Sequence, residues 1–490
     1  MEQQSNEQQE VQPTKPAGKF IRIKPFALIM LVFFTILLTA GLTIFALTFG
    51  EKKVVERISV ERPEFKQLYD AFDKLNHLYY KDIDQEQLVN GAINGMFDAL
   101  DDPYSDYLTK EESESFNESL SSSFEGIGAE IEARNDYIMI VSPIKNSPAE
   151  KAGLLPRDMV LAVDGKSIKG MSASEAVTLI RGQKGTQVTL TIQREGIADN
   201  MDVKITRDVI PVETVYGEMG EDKVAHIQIT SFSEKTADEL MVKLAEFEVQ
   251  GMEAIVLDVR QNPGGYLVAA LDISNLFLEK GKTILQVAPR QGQTEVYKAE
   301  GGKKYDLPIT VLIDEGSASA SEILAAALKE EAGAEIIGVK SFGKGTVQTV
   351  EDLQGGASIK YTNAKWLTPK GNWINEKGVT PTIEVPYPEY VYLSYVDPSL
   401  ELADGTTNAA VKSVEGMLSA LGYTIDAIDE TFDAQTAKAV RDFQAAQGLE
   451  VTGVATGDTT YALMDALKVF IEENDPMLLK AKEILTTPAQ

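Results

Sequence analysis

Residues 312–323 read LIDEGSASASEI, and this stretch decides the fold of the central part of the chain. The apolar, β-rich run 309–315 leads into a turn of small residues and then into the helix pattern 321–331, the strand–turn–helix unit of an α/β sheet. Ser319 and Glu322 are spaced as a capping box, so Ser319 is interpreted either as a helix cap or as a reactive serine. The second interpretation has a physical basis, because backbone N–H groups and the helix dipole stabilise a developing anion at a helix N-terminus.

A lysine between two glycines lies on a second turn. Residues 336–348 read IIGVKSFGKGTVQ and surround Lys344 with apolar and small residues. A lysine acts as a general base only when it is neutral, which requires removal from water to lower its pKa. An ordinary solvated surface lysine is the alternative, and the local pattern leaves both interpretations open.

A third segment, DVRQNPGG at 258–265, follows the apolar strand pattern 254–260. Asn-Pro-Gly-Gly forms a tight turn in any protein, so this segment has a purely structural interpretation of its own. Together with SASASE (317–322) and FGKGTVQ (342–348), however, it resembles the carboxy-terminal processing peptidases, serine enzymes that use a Ser-Lys dyad. The resemblance spans about residues 53–395.

The resemblance implies a role for each of five residues. Ser319, the middle serine of SASAS, is the nucleophile, and Lys344, 25 residues later, is its general base. Gln348 orients the lysine amine, and the N–H groups of Gly265 and Ala320 form the oxyanion hole. No cofactor is implied. The implied fold is multi-domain α/β, with a crotonase-like α/β peptidase core into which a PDZ domain is inserted.

The inserted module is predicted between residues 116 and 206. Short strand patterns alternate there with helix signals at Pro148–Ala152 and Ser172–Ile180, and the phrases SPAEKAGLLPRDMVLAVDGKSI and LIRGQKGTQVTLTI resemble a PDZ domain. The resemblance implies that the loop Glu125–Gly128 turns the backbone of Gly126, Ile127 and Gly128 toward the terminal carboxylate of a peptide, which then adds as a strand.

Arg181 follows the second helix signal of this module, at the edge of the expected peptide groove. One interpretation is a solvated surface charge. The alternative is a regulatory residue whose planar guanidinium reaches a polar partner in the core, near Gln348, only when a peptide tail is bound. Peptide binding would then shift an equilibrium between misaligned and aligned sites.

Composition excludes several functional classes. The 490 residues carry a net charge of −29, which repels a phosphate backbone and argues against nucleic acid as a partner. The chain has no cysteine, so disulfides, cysteine nucleophiles and thiolate metal sites are excluded. Its two histidines, His77 in a helical pattern and His226 in a strand pattern, cannot form a histidine-rich metal cluster, and a Ser-His-Asp triad requires one of them.

The N-terminus predicts a membrane anchor. No charged residue occurs from Pro25 to Gly50, a run longer than the roughly 20 residues that span a bilayer. Basic residues just before it (Lys15, Lys19, Arg22 and Lys24) favour a cytoplasmic N-terminus, so the remainder is expected outside the cytoplasm. A cleaved signal peptide is the alternative, although its apolar region is usually only about 7–15 residues long.

The C-terminal segment forms a separate predicted module. Residues 439–467, AVRDFQAAQGLEVTGVATGDTTYALMDAL, resemble the small helical peptidoglycan-binding domain. Members of that family commonly have glycines where Glu430 and Asp433 stand, a departure that bears on glycan binding rather than on the fold. Peptidoglycan is therefore an open candidate as a partner, beside the C-terminal tails of proteins.

The predicted organisation has seven parts. They are a cytoplasmic tail (1–24), a transmembrane anchor (25–50), a helical N-terminal region (51–115), the PDZ domain (116–206), the serine peptidase core (207–398), the peptidoglycan-binding-like domain (399–467) and a C-terminal helix (468–490).

The predicted function is that of a membrane-anchored, extracytoplasmic serine endopeptidase that cleaves near the C-terminus of protein substrates and is gated by the PDZ domain. The resemblance also suggests signalling proteolysis, as for similar enzymes of spore-forming bacteria. The rival prediction is a non-catalytic cell-wall- and peptide-binding scaffold, but a scaffold has no need for all three catalytic phrases. Homodimerisation is left open.

Overall fold

The computed structural model describes residues 62–134, 136–194, 196–301 and 304–487, together with four isolated helical positions, Met30, Phe34, Thr35 and Thr39. The predicted tail and, apart from those four positions, the predicted anchor lie outside the described residues. Within the described residues, no helix is both long and apolar enough to cross a membrane. The chain divides into two compact units, residues 1–92 and 93–490, each considered by itself.

The N-terminal region is helical, with one strand that the sequence did not indicate. After a 3₁₀ turn at Pro63–Phe65 its elements are α1 (Lys66–Leu78), α2 (Gln85–Asp98), β1 (Asp106–Leu108) and α3 (Lys110–Leu120). Thr109 begins α3 through a capping box with Glu112. Strand β1 pairs with residues 358–360, about 250 positions further along, so no local pattern could predict it.

The next segment alternates strands with two short helices, as its sequence predicts. Its elements are β2 (Ser123–Gly126), β3 (Ala129–Arg134), β4 (Tyr137–Pro143), α4 (Pro148–Lys151), β5 (Met159–Val163), β6 (Lys166–Ser167), α5 (Ala173–Ile180), β7 (Gln187–Gln193), β8 (Met201–Thr206) and β9 (Asp208–Pro211). Ser172 caps α5 by accepting from the N–H of Glu175. The sheet has the order β3-β4-β5-β7-β8, with β6 on β5, and encloses its own apolar cluster; β2 and β9 form a separate pair.

The central segment builds two further sheets. Its elements are β10 (Val215–Met219), β11 (Val224–Ile229), α6 (Thr236–Val249), β12 (Ala254–Asp258), α7 (Leu267–Phe277), β13 (Thr283–Pro289), β14 (Glu295–Lys298), β15 (Ile309–Ile313), α8 (Ala320–Ala327), β16 (Glu335–Gly338), β17 (Thr346–Asp352), β18 (Ser358–Leu367) and β19 (Ile383–Glu384). One sheet has the order β10-β11-β12-β15-β16-β19 and is parallel except for β10. The other, antiparallel sheet has the order β1-β18-β13-β14, with β17 also on β18.

Four helices complete the chain: α9 (Ala409–Ala420), α10 (Ala434–Gln447), α11 (Gly457–Glu473) and α12 (Pro476–Thr486). The helix boundary expected at residue 468 is not observed, because α11 continues to Glu473. The final helix begins instead at Pro476, where proline occupies the first turn and Asp475 accepts hydrogen bonds from the N–H groups of Met477 and Leu478.

The parallel sheet is buried on both faces, and this arrangement positions the turns at its edge. Along β12, Ile255 and Leu257 belong to the apolar cluster that includes α6, α7 and α8, whereas Ala254 and Val256 belong to the cluster that contains Met477 of α12. Because β12 and β15 are parallel neighbours, the turns at their carboxyl ends meet at the same edge of the sheet. These are the turns that carry DVRQNPGG and SASAS.

Candidate active site

Ser319 lies at the N-terminus of α8 in a strained backbone conformation, with φ 54° and ψ −112°. Few residues with a side chain adopt a positive φ, and such strain is common at functional sites. The NPGG turn contacts this serine directly: a Cβ atom on Gly264 would lie 2.9 Å from Ser319 Cβ and 2.9 Å from the carbonyl oxygen of Ala318. A glycine at position 264 therefore permits the two turns to touch.

The three serines of SASAS have different environments. Ser317 Oγ donates to the carbonyl of Val259 at 2.7 Å, and Ser321 Oγ donates to the carbonyl of Asn262 at 2.8 Å. Both side chains are buried and hold the two turns together. Ser319 is only half-buried, and its hydroxyl donates no hydrogen bond to any residue that the structure describes. The middle serine is thus the one whose hydroxyl is available for chemistry.

The buried carboxylate of Glu322 joins the serine turn to the lysine turn. Its Oε2 accepts from the backbone N–H of Ser319 at 2.8 Å and of Lys344 at 2.9 Å, and its Oε1 accepts from Gly343 N–H at 2.7 Å and Ser341 Oγ at 2.5 Å. Burial raises the pKa of Glu322, against these hydrogen bonds, which lower it. The capping-box interpretation accounts only for the Ser319 contact. The other three partners lie about twenty residues further on, so local spacing gave no signal for them.

The side chain of Lys344 is half-buried. Burial lowers the pKa of its amine, and the neighbouring charge of Lys360 lowers it further, while Asp102 and Glu322 act in the opposite direction. Its Nζ lies 4.9 Å from the centroid of the Tyr104 ring. It forms no hydrogen bond or ion pair with a described residue. The backbone of the lysine turn is therefore held to Ser319 through Glu322, but the amine and the serine hydroxyl are not hydrogen-bonded.

Gln348 lies on β17, one strand away from β1. Its Nε2 donates to Thr346 Oγ1 at 2.9 Å and to Thr362 Oγ1 at 3.1 Å. Neither contact involves Lys344. In this structure Gln348 is thus part of a hydroxyl network on the antiparallel sheet rather than a partner of the lysine amine.

The two N–H groups expected to bind an oxyanion have no acceptor among the described residues. Ala320 is the first residue of α8, where a helix leaves its N–H groups unpaired. Gly265 has φ 142° and lies in a parallel bridge with Phe232. The N–H of Phe232 donates to the carbonyl of Gly264 and its carbonyl accepts from the N–H of Tyr266, so neither bond uses the N–H of Gly265. A Cβ atom on Gly265 would lie 2.2 Å from the Phe232 carbonyl oxygen, so this approach requires glycine.

The predicted peptide loop connects β2 with β3. The carbonyl of Ile127 accepts from Ala149 N–H at 2.8 Å, which ties the loop to α4. Gly128 has φ 74°, and a Cβ atom there would lie 2.5 Å from Ser147 Cβ, so only glycine fits. Gly126 ends β2, opposite Asp208.

Arg181 is bound away from Gln348. Its Nη1 lies 2.6 Å from Glu118 Oε2 on α3, and its guanidinium lies 4.7 Å from the centroid of the Phe124 ring. The predicted contact near Gln348 was specific to the peptide-bound state, so it remains a prediction.

The histidine alternative receives no support from geometry. His226 Nε2 lies 3.0 Å from Asp258 Oδ2, and Asp258 also binds Arg260 at 2.6 Å. Ser319 is not among the residues that His226 contacts in the described part of the chain. Two cavities of about 470 and 730 Å³ border Arg260, and Ser319 lines neither.

A serine at positive φ on a strand-to-helix turn, with unpaired N–H groups beside it, is the arrangement found in serine hydrolases. Comparison with known proteins agrees. Residues 223–385 match peptidase family S41, residues 139–194 a PDZ domain, residues 407–463 a peptidoglycan binding domain, and residues 47–112 the N-terminal domain of the activating protease CtpB.

Relatives from Bacillus and Staphylococcus cover nearly the whole chain. The carboxy-terminal processing protease CtpA of Bacillus subtilis (strain 168) is 45% identical over 460 residues, which are 93% of this chain and 98% of that protein. A CtpA-like serine protease of Staphylococcus aureus (strain COL) is 38% identical over 484 residues, 98% of this chain and 96% of that protein. The solved photosystem II D1 C-terminal processing protease is 28% identical, with 68% of this chain and 91% of that chain covered and a TM-score of 0.40.

The chain belongs to peptidase family S41, as a serine-type carboxy-terminal processing protease with a PDZ domain and a peptidoglycan-binding-type domain. The predicted family, the predicted enzyme class and the multi-domain α/β architecture are confirmed. The non-catalytic scaffold is therefore set aside. The roles of individual site residues and the bounds of the seven predicted parts stay predictions, apart from the helix start at residue 468.

Proposed function

We propose that the protein hydrolyses peptide bonds near the C-terminus of its substrates with Ser319 as nucleophile and Lys344 as general base. The observation that carries the proposal is the buried Glu322 carboxylate, which accepts from the backbone N–H groups of both residues. A buried carboxylate with four donors has little freedom to move, so it fixes the distance between the two turns.

In the proposed reaction, the neutral Lys344 amine removes the Ser319 hydroxyl proton as Oγ forms a bond to the carbonyl carbon of the peptide. The negative charge that develops on the carbonyl oxygen accepts hydrogen bonds from Gly265 and Ala320. The lysine ammonium then gives the proton to the amine as the C–N bond breaks. In the second half the same lysine takes a proton from water as the water oxygen bonds to the acyl carbon, and it returns that proton to Ser319 Oγ as the ester C–O bond breaks. The amine must first leave the Tyr104 ring, and Gln348 is proposed to orient it toward Ser319.

The PDZ domain is proposed to bind substrate tails through the loop at Gly126, Ile127 and Gly128, and to gate the site through Arg181. Exchange of the Glu118 ion pair for a contact near Gln348 on tail binding would couple the two events. The amine, the serine hydroxyl and Gln348 are not hydrogen-bonded to one another, and the gate is proposed to align them.

Membrane anchoring through residues 25–50, an extracytoplasmic body and a crotonase-like core are further parts of the proposal, argued from the sequence. The domain at 407–463 is proposed to hold the enzyme near peptidoglycan. Positive charge before the anchor and its lack of charged residues support this topology.

The serine assignment is tested by three alanine variants. Ser319→Ala should abolish turnover of a short unstructured peptide without loss of folding. Ser317→Ala and Ser321→Ala remove buried hydrogen bonds, at a cost of about 1–3 kcal/mol of stability each, and should retain substantial activity. Steady-state rates and urea unfolding check this expectation. Full activity in Ser319→Ala, or loss confined to Ser321→Ala, would overturn the assignment.

A further inference from the structure

We propose that Tyr104 is a positioning residue of the Ser-Lys dyad, whose ring shields the Lys344 amine from water and holds it in place until the base acts. The inference rests on the proposed function, since it gives Tyr104 its role through Lys344. The distance of 4.9 Å from Nζ to the ring centroid is within the range of a cation–π contact.

The turn that carries Tyr104 is rigidly built. Asp102 Oδ1 accepts from the Tyr104 N–H at 3.2 Å, and Asp102 Oδ2 accepts from Ser105 Oγ at 2.5 Å. Ser105 Oγ in turn accepts from the backbone N–H of Thr362 on β18 at 3.0 Å. Strand β1 follows this turn directly and pairs with β18. The ring is thus held against the lysine by the antiparallel sheet rather than by a loose loop.

The same strand residue also holds the proposed orienting glutamine. Thr362 Oγ1 accepts from Gln348 Nε2 at 3.1 Å, while its N–H donates to the tyrosine turn. Tyr104 and Gln348 are therefore connected through one residue of β18. A shift of β17 against β18 would move Gln348 relative to the Tyr104 ring. The ring that holds the amine and the glutamine proposed to orient it therefore belong to one hydrogen-bond network.

The ring has two opposing effects on the amine. By excluding water it favours the neutral form, and by presenting its π face it favours the ammonium form. The other charged groups facing Lys344 are Lys360, which lowers its pKa, and Asp102 and Glu322, which raise it. Burial is the largest cause of the lowered pKa, and the Tyr104 ring is proposed to act mainly by adding to that burial.

Three substitutions separate these effects. Tyr104→Ala admits water and should move the rising limb of the pH profile to higher pH by about one pH unit, a tenfold loss of rate on that limb. Tyr104→Phe keeps the ring, so the rising limb of its pH profile should lie at the same pH as that of the wild type. Tyr104→Leu keeps an apolar cover without a π face, so its limb should stay at or below the wild-type pH.

The profile is measured as kcat/KM on a short unstructured peptide and as the rate at which a fluorophosphonate labels Ser319. Thermal unfolding of the full chain verifies folding, and Tyr395→Ala, which removes a tyrosine that is 71% exposed, is the control. A folded Tyr104→Ala enzyme with the wild-type limb overturns the inference. If the alanine variant does not fold, a limb displaced to higher pH in Tyr104→Leu overturns it instead.

A parallel Lys344→Ala variant distinguishes this failure from failure of the proposed function. An active Lys344→Ala enzyme would remove the dyad itself, whatever Tyr104 does. An inactive Lys344→Ala enzyme combined with an unmoved limb in Tyr104→Ala would leave the dyad in place and reject only the role of the tyrosine.

Discussion

Single residues in this site have more than one task, and Glu322 shows it best. Its spacing from Ser319 is that of an ordinary helix cap, and it does accept from the Ser319 N–H. Its remaining contacts, with Ser341, Gly343 and Lys344, convert the cap into the link between the two turns. Since four donors would lose their buried acceptor, this carboxylate is expected to be intolerant even of conservative change.

At the residue scale, the pH dependence follows from Lys344. Its pKa is lowered by burial and by Lys360, so the neutral, reactive fraction of the amine rises with pH along a limb that lies below the ordinary pKa range of lysine.

Lys344→Arg should be as inactive as Lys344→Ala, because a guanidinium does not deprotonate at usable pH. Lys360→Met removes a like charge, raises the pKa of Lys344 and should displace the limb to higher pH in rate measurements.

The lowered pKa of Lys344 also makes the free energy of unfolding depend on pH. Between the folded and the ordinary pKa of a lysine, the unfolded chain binds more protons, so the contribution of Lys344 to the free energy of unfolding rises with pH in that window. Wild type and Lys344→Met compared by urea unfolding across this range should show the difference. An active Lys344→Arg enzyme, or a Lys360→Met limb at lower pH, would contradict the lysine's proposed role.

Among the elements, α12 packs against the parallel sheet of the core although it is the last helix of the chain. Met477 and Ala481 are fully buried against strands β11, β12, β15 and β16, so this helix covers the second face of the parallel sheet. Asp475, which caps α12, binds Arg260 at 2.6 Å, directly before the NPGG turn. Helix α12 therefore belongs structurally to the peptidase core, and the helices α9 to α11 are inserted between that core and its last helix.

Two substitutions on α12 test this role. Met477→Ala leaves a cavity beneath the sheet and should lower the free energy of unfolding by about 2–5 kcal/mol. Leu479→Ala, on the same helix, removes a side chain that is 57% exposed and should change it by no more than about 0.5 kcal/mol. Urea unfolding followed by circular dichroism compares them. Equal losses in both variants would mean that α12 does not close the sheet.

For the whole molecule, the proposed gate links the PDZ domain to the active site. Arg181 contacts Glu118 and Phe124, and gating requires it to exchange these partners when a tail binds. Arg181→Ala should therefore lose turnover of a short unstructured substrate yet still bind tail peptides, measured by calorimetry. Lys184→Ala, which removes another PDZ cation, paired with Asp208 at 2.7 Å, is the control and should retain both.

Deletion of the PDZ domain adds a second comparison, since it should relieve the misaligned state and restore some cutting. Wild-type turnover in Arg181→Ala, with only weakened peptide binding, would reduce the domain to a tether.

The proposed topology is also a property of the whole molecule. Protease added to intact spheroplasts should digest residues 51–490, because the basic flank precedes the uncharged run and keeps the N-terminus inside. A cytoplasmic marker protein serves as the control for intact cells. Complete protection of the body would contradict the topology, and a mature N-terminus near 48–52 would show cleavage of a signal peptide instead.

Much of this protein could be predicted from its sequence because the decisive signals are local. A strand, its turn and the following helix lie within about two dozen residues, at 309–331, and the NPGG turn likewise follows β12 directly. Apolar period and turn chemistry act over that range, so the α/β order and the phrases that identify the family are readable directly. The positions of helix ends were predicted less accurately, because α11 continues past the expected boundary at residue 468 to Glu473.

Only the tertiary structure decided which of these local pieces meet. The contacts of Glu322 with the lysine turn, of Tyr104 with Lys344 and of β1 with β18 join residues about 20 to 250 positions apart. Burial, and with it the lowered pKa of Lys344, arises from the packing of distant segments around a side chain, and a solvated lysine has the same neighbours in sequence. The amino-acid sequence therefore sets the chemistry available to the protein, whereas the fold sets which groups are buried, paired or available to react.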